Sequence, residues 1–360
     1  MPRIISRREF IATTAALTGA AALPRALRAD AGPAATDLRF FVIGDTHYLA
    51  DKQSPGRLDA RSADVTSKLI DTLNALPGTN IPDAAGGGTV GTPSGLIHAG
   101  DLIDSGDKSG GPYAAMHHTE WNGYVSDFGL TGKDGKLKTP VYEIHGNHDG
   151  PSGKGVPIDG IISRNKSRPG LTHISANGLH YSWDWGRVHF VCLGIVVGEV
   201  KSVTRRRRYN PLDSLDFLQD DLASKVGSSG RPVIVTHHID IARNTGPCDP
   251  NAPFANKEWD ACDVRAFYEA MKPFNVIALF YGHTHVRNVF KWDGNSAKAT
   301  QGIDVFNVTK ASHFNSDTQG FFYVHVTDGK LAVREYTTKN RWATGSWTPQ
   351  VWAGPIRMTA

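Results

Sequence analysis

Five short clusters in this 360-residue chain hold side chains that could do chemistry together. They are Gly44-Asp45-Thr46-His47, Gly100-Asp101-Leu102-Ile103-Asp104, Gly146-Asn147-His148-Asp149, Thr236-His237-His238 and Gly282-His283-Thr284-His285. In the last, two histidines at i and i+2 would project to the same side of an extended segment and face one pocket. Such a pair alone is more often incidental than functional; the repetition of clusters gives it weight. The candidate ligands are Asp45, His47, Asp101, Asn147, His237, His283 and His285. They offer carboxylate, amide oxygen and imidazole but no thiolate, which suits Mn, Fe or Zn rather than a soft metal site. Seven donors exceed one tetrahedral zinc and suit two ions sharing a carboxylate, with Asp101 the natural bridge. Two ions about 3.5–4 Å apart can hold a bridging hydroxide and clamp an in-line phosphoryl displacement. Two divalent cations against two carboxylates leave the pocket positive, so the expected substrate is a small phosphate ester.

Such clusters need a scaffold. Four of the five directly follow an apolar, strand-like run, and Gly146 lies just beyond one broken by Glu143 and His145. Residues 38–43, 96–99, 141–144, 232–236 and 275–280 read as those strands. Helical spacing marks residues 58–76, ended by Pro77-Gly78, and also 113–128, the stretch around Leu215, Leu218 and Leu222, and 260–272. Residues 180–185 and 188–193 form a hairpin about Gly186. Late strands at 289–292, 303–308, 321–326 and 331–336 follow one another through tight turns. Residues 77–94 read as an irregular surface insertion, and residues 150–178 show no period and are expected to form a cap or loop over the site. Alternating helices and strands followed by hairpins predict a mixed α/β domain of two packed sheets with helices outside.

The first 31 residues are set aside as a targeting segment. Ser6-Arg7-Arg8-Glu9-Phe10-Ile11 has the twin-arginine pattern, an Ala-rich apolar stretch follows, and Ala29-Asp30-Ala31 offers a cleavage site before Gly32. The apolar stretch is shorter than the roughly 20 residues a membrane span needs, so no stable membrane insertion is expected. Export by the twin-arginine machinery to the periplasm or beyond is the expectation, and residues 32–360 are read as one domain. Five basic and two acidic groups lie in the first 31 residues, which lowers the net charge of the rest from +4 to +1. The basic isoelectric point therefore gives no reason to expect nucleic-acid binding. Cys192 reads as a buried apolar residue, and Cys248 and Cys262 flank a Pro-rich loop where an oxidising compartment would allow pairing.

Taken in order, the five clusters resemble the calcineurin-like metallophosphoesterase family, whose pattern is D-x-H, G-D-x-x-D, G-N-H-D/E, a later His, and G-H-x-H. The resemblance spans residues 45–285 and implies a four-layered α/β/β/α sandwich with the ions at strand ends. It implies that Asp45, His47 and His285 bind one metal and Asn147, His237 and His283 the second, with Asp101 between them. The fourth block departs from the family's usual His-x-Pro or His-His-Pro, since His237-His238 is followed by Ile239; alignment favours His237. His148 is implied as the group that contacts the phosphate and protonates the leaving alkoxide, assisting attack by the bridging hydroxide. The full D-x-H and G-H-x-H set points toward diesters, with monoesters or pyrophosphates of nucleotides, sugars or inositol as the alternative. A non-catalytic metal- or phosphate-binding protein is the reading from another class, against which the intact His148 argues. Purple acid phosphatases fit less well, because no iron-binding tyrosine block is evident.

Asp104 and Asp149 could orient ligands or cap turns. The run Arg205, Arg206, Arg207, Arg208 reads either as a solvated loop or as an anion-binding mouth. His117, His118 and Trp121 could line the pocket or pack on the core, and His313, after a predicted strand, could sit near the metals.

Overall fold

Residue alternation along the strands decides the layers. In the computed structural model, which describes residues 35–199, 208–243, 258–295 and 299–358, strand β1 (Asp37–Ile43) turns Phe40 and Val42 to one side and Phe41 and Ile43 to the other, all fully buried. A strand covered on both faces belongs in the middle of a sheet. β1 indeed pairs in parallel with β4 (Leu96–His98), which pairs with β5 (Val141–Glu143). On its other side it pairs antiparallel with β13 (Gln319–Thr327), which continues to β14 (Lys330–Thr338) and β15 (Ser346–Pro355). A small separate hairpin, β2 (Ala50–Asp51) and β3 (Ser54–Leu58), precedes the first helix.

The second sheet centres on β9 (Val233–Thr236) and β10 (Val276–Tyr281), which run parallel. Beyond β10 lie β12 (Ile303–Asn307) and β11 (Asn288–Trp292); beyond β9 lie β8 (Val188–Cys192), β7 (Tyr181–Trp185) and β6 (Leu171–Ile174). Phe40, Val42, Ile97 and Phe322 from the first sheet meet Phe190, Ile234, Phe280 and Phe306 from the second, forming the central core. Phe40 packs edge-on against both Phe190 and Phe280, a favoured geometry for aromatic pairs.

Helices cover the outer faces. Val65, Leu69, Ile70 and Leu73 put one stripe of α1 (Ala60–Ala75) onto Phe41, Ile43 and Phe321. Asp59 caps it, its carboxylate accepting from Arg61 N–H at 2.9 Å. α2 (Tyr113–Asp127) joins the same layer through Trp121 and Tyr124. Across the molecule, α4 (Ser214–Asp221) and α5 (Ala261–Met271) set Leu218, Phe267 and Met271 on Val233, Val235 and Leu279. The result is the expected four-layered α/β/β/α sandwich.

Two expectations change, and one strand is new. Residues 150–178 are not a cap over the site: they contain α3 (Val156–Ser167) and β6, and α3 buries Ile158 and Ile161 in the helix-side core. Pro157 in its first turn suits a helix start, while Gly155, Gly160 and the polar residues between hide the stripe from a periodicity reading. The insertion at 77–94 is irregular but pinned, with Ile81, Ala85 and Val90 buried against the first sheet. β15 has no counterpart among the strands expected from the sequence. Its half-exposed side chains and its two prolines suit an edge position, where the alternation signal is weakest.

Cys192 is free and buried. Cys248, residues 1–31 and Arg205, Arg206 and Arg207 lie outside the described residues, and with them the expected pairing, the targeting segment and most of the arginine run. No described helix is long and apolar enough to cross a membrane.

Candidate metal centre

Because β1, β4 and β5 run parallel to one another, as do β9 and β10, their C-terminal ends bring the five clusters to the sandwich's working edge. The loops there adopt a backbone that ordinary residues avoid. Asp45 (φ 57°), His47 (47°), Asp101 (55°), His283 (71°) and His285 (61°) all sit in the left-handed region. Such strain, of order 1–3 kcal/mol per residue, gathers at functional sites. The two histidines of the last cluster therefore do not lie on an extended strand; a left-handed backbone at each of them turns them toward different neighbours.

Two donor groups result, and they share Asp101. Asp45, His47, Asp101 and His285 form one; Asp101, His238 and His283 form the other, with donor atoms within 4.8 Å of one another in each. In the first, His47 Nε2 lies 3.1 Å from His285 Nε2 and 3.6 Å from Asp101 Oδ2, and Asp45 Oδ1 lies 3.4 Å from His285 Nε2. In the second, Asn147 Oδ1 lies 3.1 Å from His238 Nε2 and 2.8 Å from His283 Nδ1. Asp101 Oδ2 is also 3.2 Å from His238 Nε2, so one carboxylate oxygen faces both groups. Its Oδ1 accepts the backbone N–H of His148 at 2.8 Å.

His237 is not brought to this cluster. Val233 and Val235 face the helix layer and Ile234 faces the other sheet, and the period of two carries on past the end of β9. His237 accordingly points to the helix side, stacked 5.5 Å from Tyr281 and edge-on to Trp259 and Phe267. Burial pushes its pKa down to about 3. The next residue, His238, faces the site, and its Nδ1 donates to the Ala99 carbonyl at 2.7 Å, leaving Nε2 for the cluster. The donor from the fourth block is thus His238, a correction to the alignment-based expectation.

The surroundings fit cations. Asp45 and Asp101 are fully buried, and among the described residues their ion-pair partners are histidines, with no lysine or arginine among them. Burial opposes ionisation of Asp101, but His238 outweighs it and holds the carboxylate well below its usual range. Burial opposes protonation of His238 in turn, and Asp101 overrides it and raises the imidazole. Buried carboxylates faced by imidazoles, with no lysine or arginine among the described residues paired to them, form a donor set that a metal ion would satisfy.

Supporting contacts lock the donors. A side chain at Gly146 would strike the Asp101 carboxylate, and one at Gly282 would press on Asp45 at 2.6 Å. Asp45 accepts the His283 N–H at 2.9 Å, tying the first loop to the last. Asp149 accepts from Leu102, Ile103 and Gly146 N–H groups at 2.9, 2.9 and 2.7 Å, stapling the second loop to the third. Burial, then Asp101, pushes its pKa up to about 7. Asp104 Oδ1 lies 3.3 Å from His47 Nδ1.

Sequence reasoning missed Glu258. Both its carboxylate oxygens lie 3.1 Å from His283 Nε2, and Arg208 and Arg243 pair with it from outside. No motif marks it, because it lies 25 residues upstream of the histidine it serves. A carboxylate on the far nitrogen fixes the tautomer of a ligating histidine. Arg208 thereby sits at the edge of the site, 3.4 Å from Glu258.

His148 stands at the mouth with its ring centroid 4.8 Å from that of His47. Its Nδ1 donates to the Asp104 carbonyl at 2.9 Å, which leaves Nε2 free. Burial would lower its pKa, yet Asp101, the Asp104 carbonyl and Asp107 outweigh burial and raise it. Of the remaining candidates, Trp121 stacks on Tyr124 in the core, His117 Nε2 donates to the Ser105 carbonyl at 2.7 Å, and His118 is exposed. His313 does reach the cluster, with ring centroids 4.4 Å from His47 and 4.9 Å from His285.

Among solved structures, a dimetal phosphatase of Danio rerio is similar at 14% identity and a TM-score of 0.48, covering 90% of this chain and 99% of that one. PhoD gives 11% and 0.46, over 87% of this chain and 71% of that one. GAP50, the anchor in the inner membrane complex of Plasmodium, gives 10% and 0.47, with 90% of each chain covered. No curated protein matches the sequence. The profile of the calcineurin-like phosphoesterases, however, matches residues 38–287, a span that holds every donor of both groups. The chain belongs to the calcineurin-like phosphoesterase family.

Proposed function

We propose that this protein is an exported, two-metal phosphoesterase that hydrolyses small phosphate esters, diesters in preference to monoesters. The observation that carries the hydrolase reading is the pair of donor groups sharing Asp101 Oδ2. Asp45, His47, Asp101 and His285 would hold one ion, and Asp101, Asn147, His238 and His283 the other, with Mn, Fe or Zn suited to such donors. Two such ions would supply Lewis acidity at the phosphoryl oxygens and a water of lowered pKa. The chain's own part is to place and protonate. His148, held through Nδ1 by the Asp104 carbonyl, offers Nε2 to the ester. As water oxygen bonds to phosphorus and the P–O bond to the leaving group breaks, a protonated His148 gives Nε2–H to the departing alkoxide. The buried loops hold this geometry rigidly, which spares reorganisation at the moment of reaction.

The test is hydrolysis of bis-p-nitrophenyl phosphate and p-nitrophenyl phosphate by the chain from Gly32 onward, stripped of metal and then given Mn or Zn. Turnover that depends on metal and disappears in Asp101→Asn is the expected result. His148→Ala should cost ~10²–10⁴-fold on an alkyl phosphate ester, whose alkoxide needs the proton, and much less on the nitrophenyl esters, whose leaving group departs as the anion. The preferred ester decides between diester and monoester, and a pyrophosphate in the same panel covers the third substrate class. Two ions bound with no turnover of any ester would favour a binding protein on this scaffold. The diester preference rests on the motif resemblance, and export rests on Ser6-Arg7-Arg8-Glu9-Phe10-Ile11. Replacing Arg7 and Arg8 by Lys in a bacterial host should trap the chain in the cytoplasm; unchanged export in the double variant would overturn the twin-arginine route.

A further inference from the structure

One imidazole at the cluster belongs to none of the five motif blocks. His313 lies on the loop after β12, and a donor atom of its ring comes within 4.8 Å of donor atoms of both His47 and His285. The loop is anchored on several sides. Ala311 N–H donates to the Gly44 carbonyl at 2.9 Å, and Trp342 Nε1 donates to the Ala311 carbonyl at 2.7 Å. Ser312 Oγ donates to the Thr46 carbonyl at 3.2 Å and accepts from Thr66 Oγ1 of α1 at 3.1 Å. Phe314 stacks on the imidazole with ring centroids 4.7 Å apart, and the Arg61 guanidinium lies over Phe314. The ring is placed by the fold rather than left to swing.

Its tautomer follows from one contact. The backbone N–H of Asn315 donates to His313 Nδ1 at 3.1 Å. A ring nitrogen that accepts a hydrogen bond has its lone pair engaged and carries no proton, so the hydrogen of the neutral ring is on Nε2. Metal ligation needs a free lone pair, which neither nitrogen then offers. We propose that His313 is not an additional ligand but a substrate-contacting donor, whose Nε2–H binds a non-bridging phosphoryl oxygen beside the group formed by Asp45, His47 and His285. His47 is thereby flanked by two rings of different duty, with His148 offering its proton to the leaving group and His313 holding the phosphoryl oxygen. No proton is transferred by His313 and no bond is made or broken there. The identity of the ligand rests on the phosphoesterase reading; the donor orientation rests on Asn315 alone.

The test uses the full chain loaded with Mn, as wild type, His313→Ala and His313→Gln, since the Gln amide can restore an N–H near the Nε2 position. Bound metal is counted by elemental analysis, inorganic phosphate affinity by calorimetry, and kcat/KM with the better nitrophenyl ester. Both variants should keep the wild-type metal content. His313→Ala should bind phosphate about 10-fold more weakly and lose roughly 10²-fold in kcat/KM, as expected for a lost oxyanion donor, with partial recovery in His313→Gln. Loss of one metal in both variants would make His313 a ligand and overturn the proposal. Unchanged phosphate affinity and kinetics in both would reduce it to packing and overturn it equally. If the wild type hydrolyses no ester yet binds phosphate, and His313→Ala weakens that binding, the donor assignment stands and the phosphoesterase reading falls.

Discussion

Adjacent histidines with opposite fates show how much one backbone position decides. His237 fills an aromatic cage and His238 meets Asp101 and Asn147. His238→Ala should reduce bound metal from two equivalents to one. His237→Ala should keep both ions but unfold more easily, by about 2–4 kcal/mol, because it leaves a cavity among Trp259, Phe267 and Tyr281. Metal counting beside chemical denaturation separates them, and a lost ion in His237→Ala would reverse the assignment. Glu258 acts through His283, so Glu258→Gln should weaken the ion held by Asn147, His238 and His283 about 10–100-fold, with Glu258→Asp intermediate. Competition with a metal indicator reads this directly; equal affinities in wild type and Glu258→Gln would leave the carboxylate a mere partner for Arg208 and Arg243.

The elements are tied together by a charge cluster away from the candidate metal centre. Glu143 at the end of β5 is buried and receives Arg164 of α3 at 2.6 Å and Arg168, just past that helix, at 2.9 Å. Burial would raise the carboxyl pKa, but the two guanidiniums outweigh it and hold it at about 2. The unfolded chain has an ordinary glutamate of about 4.3. A depressed folded pKa stabilises the fold above the unfolded value and ceases to do so as pH falls through the folded one. Stability on the order of 3 kcal/mol should therefore drain away between about pH 4.3 and 2. Glu143→Gln should lose about 3–5 kcal/mol at neutral pH, by leaving buried guanidiniums unpaired, and should lack the decline in that window. Denaturant titrations across pH check both; parallel curves for the two proteins below pH 4.3 would exclude this cluster as the source. The same cluster explains why α3 sits on the first sheet rather than over the site.

At the scale of the whole molecule, the metal centre lies where two sheets meet. Asp45, His47, Asp101 and Asn147 come from the loops after β1, β4 and β5, whereas His238, His283 and His285 come from those after β9 and β10. An ion bound by both sheets stabilises their packing by mass action, by about 4 kcal/mol at a thousandfold excess over Kd. For a domain of this size that corresponds to a rise in Tm of roughly 6 °C. Calorimetry with Mn or Zn and with a chelator should show it, and the gain should vanish in Asp101→Asn, which touches both groups. A Tm indifferent to metal in the wild type would argue that the donors do not close on an ion.

The strand-then-motif order, the family and six of the seven side chains that gather at the cluster were legible in the chain alone, because residue types and apolar runs are local properties. The sequence also named His313 and Asp149 as residues to watch, though not what they contact. Facing was beyond it. Whether His237 or His238 enters the site depends on which side of β9 meets the helices, and that is settled by the packing of two sheets. Glu258 escaped notice for a related reason: its partner His283 lies on a different loop, and a single carboxylate far from any motif carries no pattern. The left-handed turns at Asp45, His47, Asp101, His283 and His285 likewise have no signature in residue type, since they exist only because neighbouring loops hold them. Chemistry was written in composition and spacing, and direction came from tertiary contact, because a side chain's orientation is fixed by what its strand is packed against.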